Sequence, residues 1–209
     1  MSASGVTRQP ERSRKAILDA AEQVFARHGF DGASLAEIGR VAEVSAALPA
    51  YFFGDKRSLY DRVIERLFEE RDAQLERVCK AAALALERDG LRRGLEVLVG
   101  GYLRFLQLRP TFVTLMSREA LEIPRRATRR RHSPALERGL AEFVRSIVPP
   151  GRPAPDAGQL LVSLVALCWF PLEHDATMLA GMGYDTFSDE FIAARTEHVV
   201  DLLVRALEG

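Results

Sequence analysis

The sequence predicts an all-α protein: an N-terminal three-helix head carrying a helix-turn-helix, then a larger helical body, about nine helices in all. Three observations predict this. Apolar residues recur at helical spacing along almost the whole chain, with no alternating run that reads as a strand and no internal repeat. The segment from Ser34 to Phe53 reads as two short helices joined by a tight turn, the unit that lays its second helix in the major groove of DNA. Residues 160–172 are apolar around most of a helical circumference, which suits a buried helix in a large helical body.

The elements follow in order. Residues 1–10 are polar and read as disordered. Helix 1 buries Ile17, Ala21, Val24 and Phe25, ends with Gly29 at C′, and continues to Phe30 as the hydrophobic residue beyond. Ser34 and Glu37 have capping-box spacing, and Leu35, Ile38, Val41 and Ala42 share one face. Ser45 is the expected N-cap of the second short helix. Asp55 caps a long helix 4 that reaches Arg88, with Asp89-Gly90 as its break. Helix 5 covers 91–108 and contains Gly100-Gly101, a pair that costs a helix interior up to ~1 kcal/mol per residue and so implies close helix contact or space for a ligand. Helix 6 begins at Pro110 and stops before Pro124. Helix 7 covers 134–148, and 149–155 is a proline-rich linker. Asp156 with Gln159 opens helix 8, and Ser188 caps helix 9, where Phe187 and Ile192 have staple spacing. The division expected is 11–71 for the DNA-binding domain, with the helix-turn-helix at 34–53, and 72–209 for the helical body, to which the family resemblance described below assigns effector binding and dimerisation.

Composition narrows the function. The 209 residues hold 29 basic and 29 acidic side chains, so affinity for nucleic acid must come from local placement of charge. Cys79 and Cys168, far apart in apolar helical patterns, read as reduced thiols of a cytoplasmic protein. No signal peptide is evident. The apolar run 160–172, about 13 residues, falls short of the ~20 that span a bilayer, so no membrane partner is expected.

The residues Phe25 to Phe30, Ser34, Ile38-Gly39, Val44-Ser45, Phe53 and Lys56 resemble the signature of the TetR family of transcriptional regulators. That signature is F-x-x-x-G-F, then T/S-x-x-x-I-A, then V-S-x-x-x-x-Y-x-x-F, then a lysine opening the next helix. The match covers about residues 11–71, with several spacings agreeing at once. The resemblance implies that Ser34, Ser45, Ala46, Ala47, Leu48, Ala50 and Tyr51 face DNA, with Tyr51 and Lys56 meeting phosphates. Such contacts orient the protein without reading sequence. The basic group Arg8, Arg12, Arg14 and Lys15 reads either as an arm that reaches a minor groove or the backbone, or as a solvated tail. Phe53 reads as a core plug between helices 1, 3 and 4. Two departures stand out. No Arg, Lys, Asn or Gln occurs from Ser45 to Phe53, so specificity is expected from apolar contacts, water and DNA shape. Glu43 occupies a turn position where the family often has glycine, and a left-handed backbone there costs ~1 kcal/mol or more.

In the body, the apolar helices 8 and 9 predict a homodimer through the last two helices, which would present two heads to half-sites ~34 Å apart. The resemblance implies a pocket for a small, largely hydrophobic effector, with Phe68, Tyr102, Phe105, Leu106, Phe112, Met116, Trp169 and Phe170 as candidate lining and Cys168 and His174 as polar groups. It also implies a repressor released from a double-stranded DNA operator by that ligand. The arginine cluster 125–131 reads as a solvated loop, a DNA-backbone contact or an anion site. The four histidines form no metal pattern, and Glu173-His174-Asp175 are helical neighbours that face different ways, so neither an enzyme nor a cofactor is expected. The competing reading is a ligand-binding helical protein whose DNA binding is weak or lost.

Overall fold

The computed structural model describes residues 8–122, 134–147 and 157–208. Among these are nine α-helices: α1 (Arg8–Gly32), α2 (Leu35–Val41), α3 (Leu48–Phe53), α4 (Lys56–Asp89), α5 (Leu91–Leu108), α6 (Pro110–Glu122), α7 (Pro134–Ile147), α8 (Ala157–Glu173) and α9 (Asp189–Glu208). A π turn (Asp175–Leu179) and a 3-10 turn (Ala180–Met182) follow α8. No strand occurs among the described residues. The arginine cluster 125–131, the linker 149–155 and Asp156 lie outside them.

The chain divides into two compact units. The first holds α1, α2, α3, α4 as far as Glu69, and α6 from Thr114. The second holds the rest of α4, α5, the start of α6, and α7, α8 and α9. A cut drawn on sequence at 71–72 has no counterpart for the part of α6 that returns to the first unit.

In the first unit, α1 breaks at Gly29, whose φ of 70° is left-handed, as expected of the glycine that ends a helix. Phe25 meets Tyr60 edge-on at 4.9 Å, Phe30 meets the same ring at 5.2 Å, and Ile17, Ile38, Leu59, Val63 and Ile64 are fully buried beside them. A part-buried fork ties α1 to α4. The Arg66 guanidinium donates to Asp19 at 2.6 Å, to Glu22 at 2.7 Å and to the Leu18 carbonyl at 3.2 Å. Partial burial pushes the Asp19 carboxyl up, but hydrogen bonds and charge from Lys15 and Arg66 outweigh it and hold the group below its ordinary value. The N-terminal region departs from expectation. Arg8, Gln9 and Pro10 already belong to α1, so the basic group from Arg8 to Lys15 sits on a helix and is not a free arm. Lys15 pairs with Asp19 one turn on, which gives its charge a local partner.

In the second unit, glycines set how closely α5 approaches α4. A Cβ at Gly94 would lie 2.8 Å from Leu86 Cβ, and one at Gly101 would lie 2.8 Å from Val78 Cγ1. The two positions are a heptad apart on one face, so the sequence alternative between contact and ligand space resolves, at Gly101, as contact. Gly100 turns the other way, with Thr196 Cγ2 3.4 Å from its would-be Cβ. Ser188 caps α9 by accepting from Phe191 N at 3.1 Å. Asp175 accepts from the hydroxyl of the fully buried Thr186 at 2.7 Å, so the acidic residue of Glu173-His174-Asp175 closes a turn.

Pro171 lies inside α8. Proline has no N–H, so the Leu167 carbonyl one turn back loses its helical donor. Arg195 of α9 replaces it, donating from Nε at 3.0 Å and Nη2 at 2.7 Å. After α8 the chain bends by 58° into the π turn. No single helix among the described residues is long and apolar enough to cross a membrane. Arg195→Met is expected to destabilise the protein by about 1–3 kcal/mol, because it leaves a part-buried carbonyl without a donor. In a Pro171→Ala background, where residue 171 regains its N–H, the same change should cost clearly less. A urea-unfolding double-mutant cycle measures both, and equal costs in the two backgrounds would refute the pairing.

Candidate nucleic-acid interface

The helix-turn-helix is built from a capped first helix, a strained turn and a very short second helix. Ser34 Oγ accepts from Glu37 N at 3.1 Å and so caps α2 as expected. Glu37 does not complete the box. Its carboxylate faces His28 Nε2 at 3.4 Å instead. After Ala42 the backbone turns through Glu43 at φ 56°, the left-handed conformation anticipated from sequence. Val44 N then donates back to the Gly39 carbonyl at 2.9 Å. Gly39 is where the two arms of the motif come closest. A Cβ there would sit 3.1 Å from Ala46 Cα and 3.2 Å from the Ser45 carbonyl oxygen, so only a very small residue fits without moving backbone.

The second helix starts later than its sequence suggests. Ser45 is not its N-cap. The Ser45 carbonyl accepts from Leu48 N at 3.0 Å in a preceding turn, and the cap position falls on Ala47, which offers no side-chain acceptor. The cause is Pro49 in the first helical turn, where a missing N–H is tolerated and φ is already helical. Pro49 is also buried, which pins the helix to the head. The helix ends at Gly54, φ 82°.

This geometry leaves Ser34, Ser45, Ala46, Ala47 and Ala50 exposed, and Tyr51 is 79 % exposed. Leu48, grouped with them on sequence, is half-buried and gives only part of its side chain to the outer face. Lys56 is half-buried too. Its ammonium donates to the carbonyls of Ala33 at 3.0 Å and Asp31 at 3.3 Å and lies 4.7 Å from the centre of the Phe30 ring. It therefore ties the start of α4 to the link between α1 and α2, and of its three protons at most one stays available for a phosphate. Phe53 is half-buried and is not the core plug its spacing suggested. It packs with Phe52 at the edge of the head, under Arg14. The roles of Gly39 and Arg14 were not legible in residue spacing, since both depend on which backbone approaches them.

Residues 17–63 match the family described as bacterial regulatory proteins, tetR family, and residues 92–203 match the tetracyclin repressor-like C-terminal domain. The chain belongs to the TetR family. Among curated relatives of this TetR protein, the HTH-type transcriptional repressor NicS of Pseudomonas putida is 25 % identical over 205 residues, covering 95 % of this chain and 94 % of NicS. The HTH-type transcriptional regulator BetI of Agrobacterium fabrum is 29 % identical over 158 residues, 74 % of this chain and 72 % of BetI. A solved TetR-family regulator from Mesorhizobium loti superposes with a TM-score of 0.68 at 21 % identity, covering 95 % of this chain and 98 % of that one. At that identity the likeness is one of fold. A TetR protein of this kind is a DNA-binding transcription regulator and not an enzyme.

The candidate effector residues of the TetR body do not form one group. In the second unit, Phe105 and Phe112 meet at 5.2 Å, Phe112 and Trp169 at 5.8 Å, and Tyr102, Phe105, Leu106 and Phe112 are all buried. Phe170 is 45 % exposed and its ring lies 4.4 Å from that of His174, tilted by 55°; the His174 carbonyl receives the amides that open the π turn, so this pair belongs to a helix end. Phe68 and Met116 belong to the first unit and are half-buried. Burial pushes the Cys168 thiol up to about 12 against the nearby Arg195 charge. Burial, with Cys168 adding and Arg71 opposing, likewise raises Tyr102 well above its ordinary value. Both groups are therefore neutral at pH 7. A cavity between α5, α7, α8 and α9, lined by Leu95, Leu98, Phe143, Leu160, Leu164 and Leu203 among others, measures about 10 Å³ and has wholly apolar walls. That is room for a single water with nothing to hold it. A wider open groove of about 500 Å³ lies along α5 and α9 over Gly100 and Thr196, edged by Arg92, Arg93 and Arg104. Among the described residues no group of three or more His, Cys, Asp or Glu side chains is placed to hold a metal ion.

The turn yields a stability test. Glu43→Gly removes the left-handed penalty at φ 56° and is expected to stabilise the protein by up to about 1 kcal/mol, after the greater chain entropy of glycine is subtracted. Urea titration reads this, and a loss of stability would show that the Glu43 side chain compensates for the strain.

Proposed function

We propose that the protein is a dimeric repressor that grips a double-stranded operator through α2 and α3 and is released by a small, largely hydrophobic effector bound in its second unit. The observation that carries the DNA-binding part is the outer face of α3. The turn before α3 and the short, externally braced helix itself hold Ser45, Ala46, Ala47, Ala50 and Tyr51 in water, and a tyrosine that is 79 % exposed is not placed there by burial. On this reading Tyr51 donates to a phosphate while the alanines lie against thymine methyls. Repression is supported by the NicS relative, itself a transcriptional repressor. The effector reading is supported by the aromatic group Phe105, Phe112 and Trp169 with the neutral Tyr102 and Cys168 beside it, a mainly apolar setting with few polar groups. Continuous α4, which contributes to both units, is the element through which occupancy of the body would bias the head.

Pairing is supported by what one chain leaves uncovered. Val162 (61 % exposed) and Phe170 (45 %) lie with Ala166 on one stripe of α8, and Leu202 (42 %) is open on α9. A second copy buries such a stripe without new chemistry. The competing reading, a ligand-binding protein with lost DNA recognition, draws on one fact: the absence of bidentate base-reading side chains from 45 to 53.

A gel-shift titration with the DNA upstream of the protein's own gene separates the two. Retardation that weakens as salt rises, with log K falling by about 0.9 per phosphate contact against log salt, is expected of the repressor. No retardation at low salt supports the competing reading. For the dimer, Val162→Asp is expected to shift the sedimentation coefficient from that of two chains to that of one. A wild-type monomer at micromolar concentration would remove the pairing.

A further inference from the structure

We propose that Arg14 is a positioning residue for DNA recognition: it clamps the C-terminal end of α3 and so fixes the direction of Tyr51. The proposal rests on the DNA-facing reading of α3 given above.

The need for a clamp follows from the length of the helix. With six residues, α3 has carbonyls at its end with no helical donor, and nucleation makes so short a helix unstable by itself. Gly54 N satisfies Ala50 at 2.8 Å. The Phe52 carbonyl receives Arg14 Nη2 from α1, a long bond at 3.4 Å. The same guanidinium lies 5.4 Å from the centre of the Phe52 ring and 5.8 Å from that of Phe53. A cation is favoured here because the carbonyl end of a helix is its negative end. Phe52 in turn meets Tyr51 edge-on at 5.2 Å. The sequence of contacts therefore runs from Arg14 through the Phe52 ring to the exposed phenol.

The clamp stands on a fixed base. Asp19 and Glu22, on the next turns of α1, are held by Arg66 of α4. Of the neighbouring cations, Lys15 is bonded to Asp19 one turn on along α1, whereas Arg14, although exposed, turns to the end of α3. Arg14 thus differs from the basic cluster in which its sequence places it. It acts through the protein's own aromatic rings and not primarily through phosphate.

The test uses the full chain and the duplex that the wild-type protein enriches from a random library. Arg14→Ala is expected to lower affinity for that duplex by about tenfold, the scale of a lost cation–π contact plus a hydrogen bond, with the slope of log K against log salt unchanged. Arg14→Lys keeps the charge but not the planar fork, and is expected not to restore affinity. In the free protein, the Gly54 amide should exchange faster in Arg14→Ala while the global unfolding midpoint is retained. Wild-type affinity in Arg14→Ala overturns the proposal. So does a loss accompanied by a slope smaller by about 0.9 and recovered in Arg14→Lys, which would make Arg14 a phosphate ligand. If the wild type enriches no duplex, the DNA-binding reading fails by itself, and unchanged Gly54 exchange would still refute the clamp.

Discussion

The recognition helix cannot hold its own shape. Six residues supply too few internal hydrogen bonds to offset nucleation, and its cap position carries an alanine, whose side chain can neither donate nor accept. Its geometry is therefore imposed from outside. Gly39 lets the turn come within van der Waals reach of α2, Glu43 accepts a left-handed backbone so that the chain can reverse, and Pro49 sinks into the head. The part-buried fork of Arg66 onto Asp19 and Glu22 ties α1 to α4. Arg14 of α1 reaches the end of α3, and Lys56 of α4 reaches the link between α1 and α2. The shape of the exposed surface around α3 depends on that external bracing.

Much of this was legible from residue spacing. Ser34 caps α2, Gly29 ends the first helix, Asp55 opens α4 by accepting from Ser58 N at 2.7 Å, and Ser188 opens α9. Each of these is a local rule, in which a side chain bonds a backbone group within four residues. What was not legible involved distant partners. Ser45 looked like a cap because serine usually is one there, yet Pro49 moved the helix start to Leu48. Lys56 looked like a surface cation, yet two carbonyls and the Phe30 ring hold it inward. Phe53 looked like core because aromatic residues at that spacing usually are. The candidate effector residues shared composition but not location, since helical periodicity reports which face is buried and not which residues of different helices meet.

The second unit shows a related economy of donors and acceptors. A proline in the last turn of α8 would leave a carbonyl stranded, and an arginine on the neighbouring helix answers it with a two-pronged contact. The helix therefore gains a fixed partner at the point where its own ladder fails. Nearby, Cys168 and Tyr102 are kept uncharged by burial, so the interior beside the aromatic group carries dipoles and no net charge from either residue. A thiol held that far from ionisation is also a poor nucleophile at neutral pH.

The exposed alanines in and just before α3 have a consequence for how such a protein diversifies. Ala46, Ala47 and Ala50 are exposed, and what keeps the helix in place lies elsewhere, in Gly39, Pro49 and the contacts at its far end. Under the proposed DNA contact, architecture and DNA preference are carried by separate sets of codons. Single changes on that face can retune the target repertoire of a lineage while leaving foldability almost untouched, so gene duplicates can part ways in what they control before they part ways in shape.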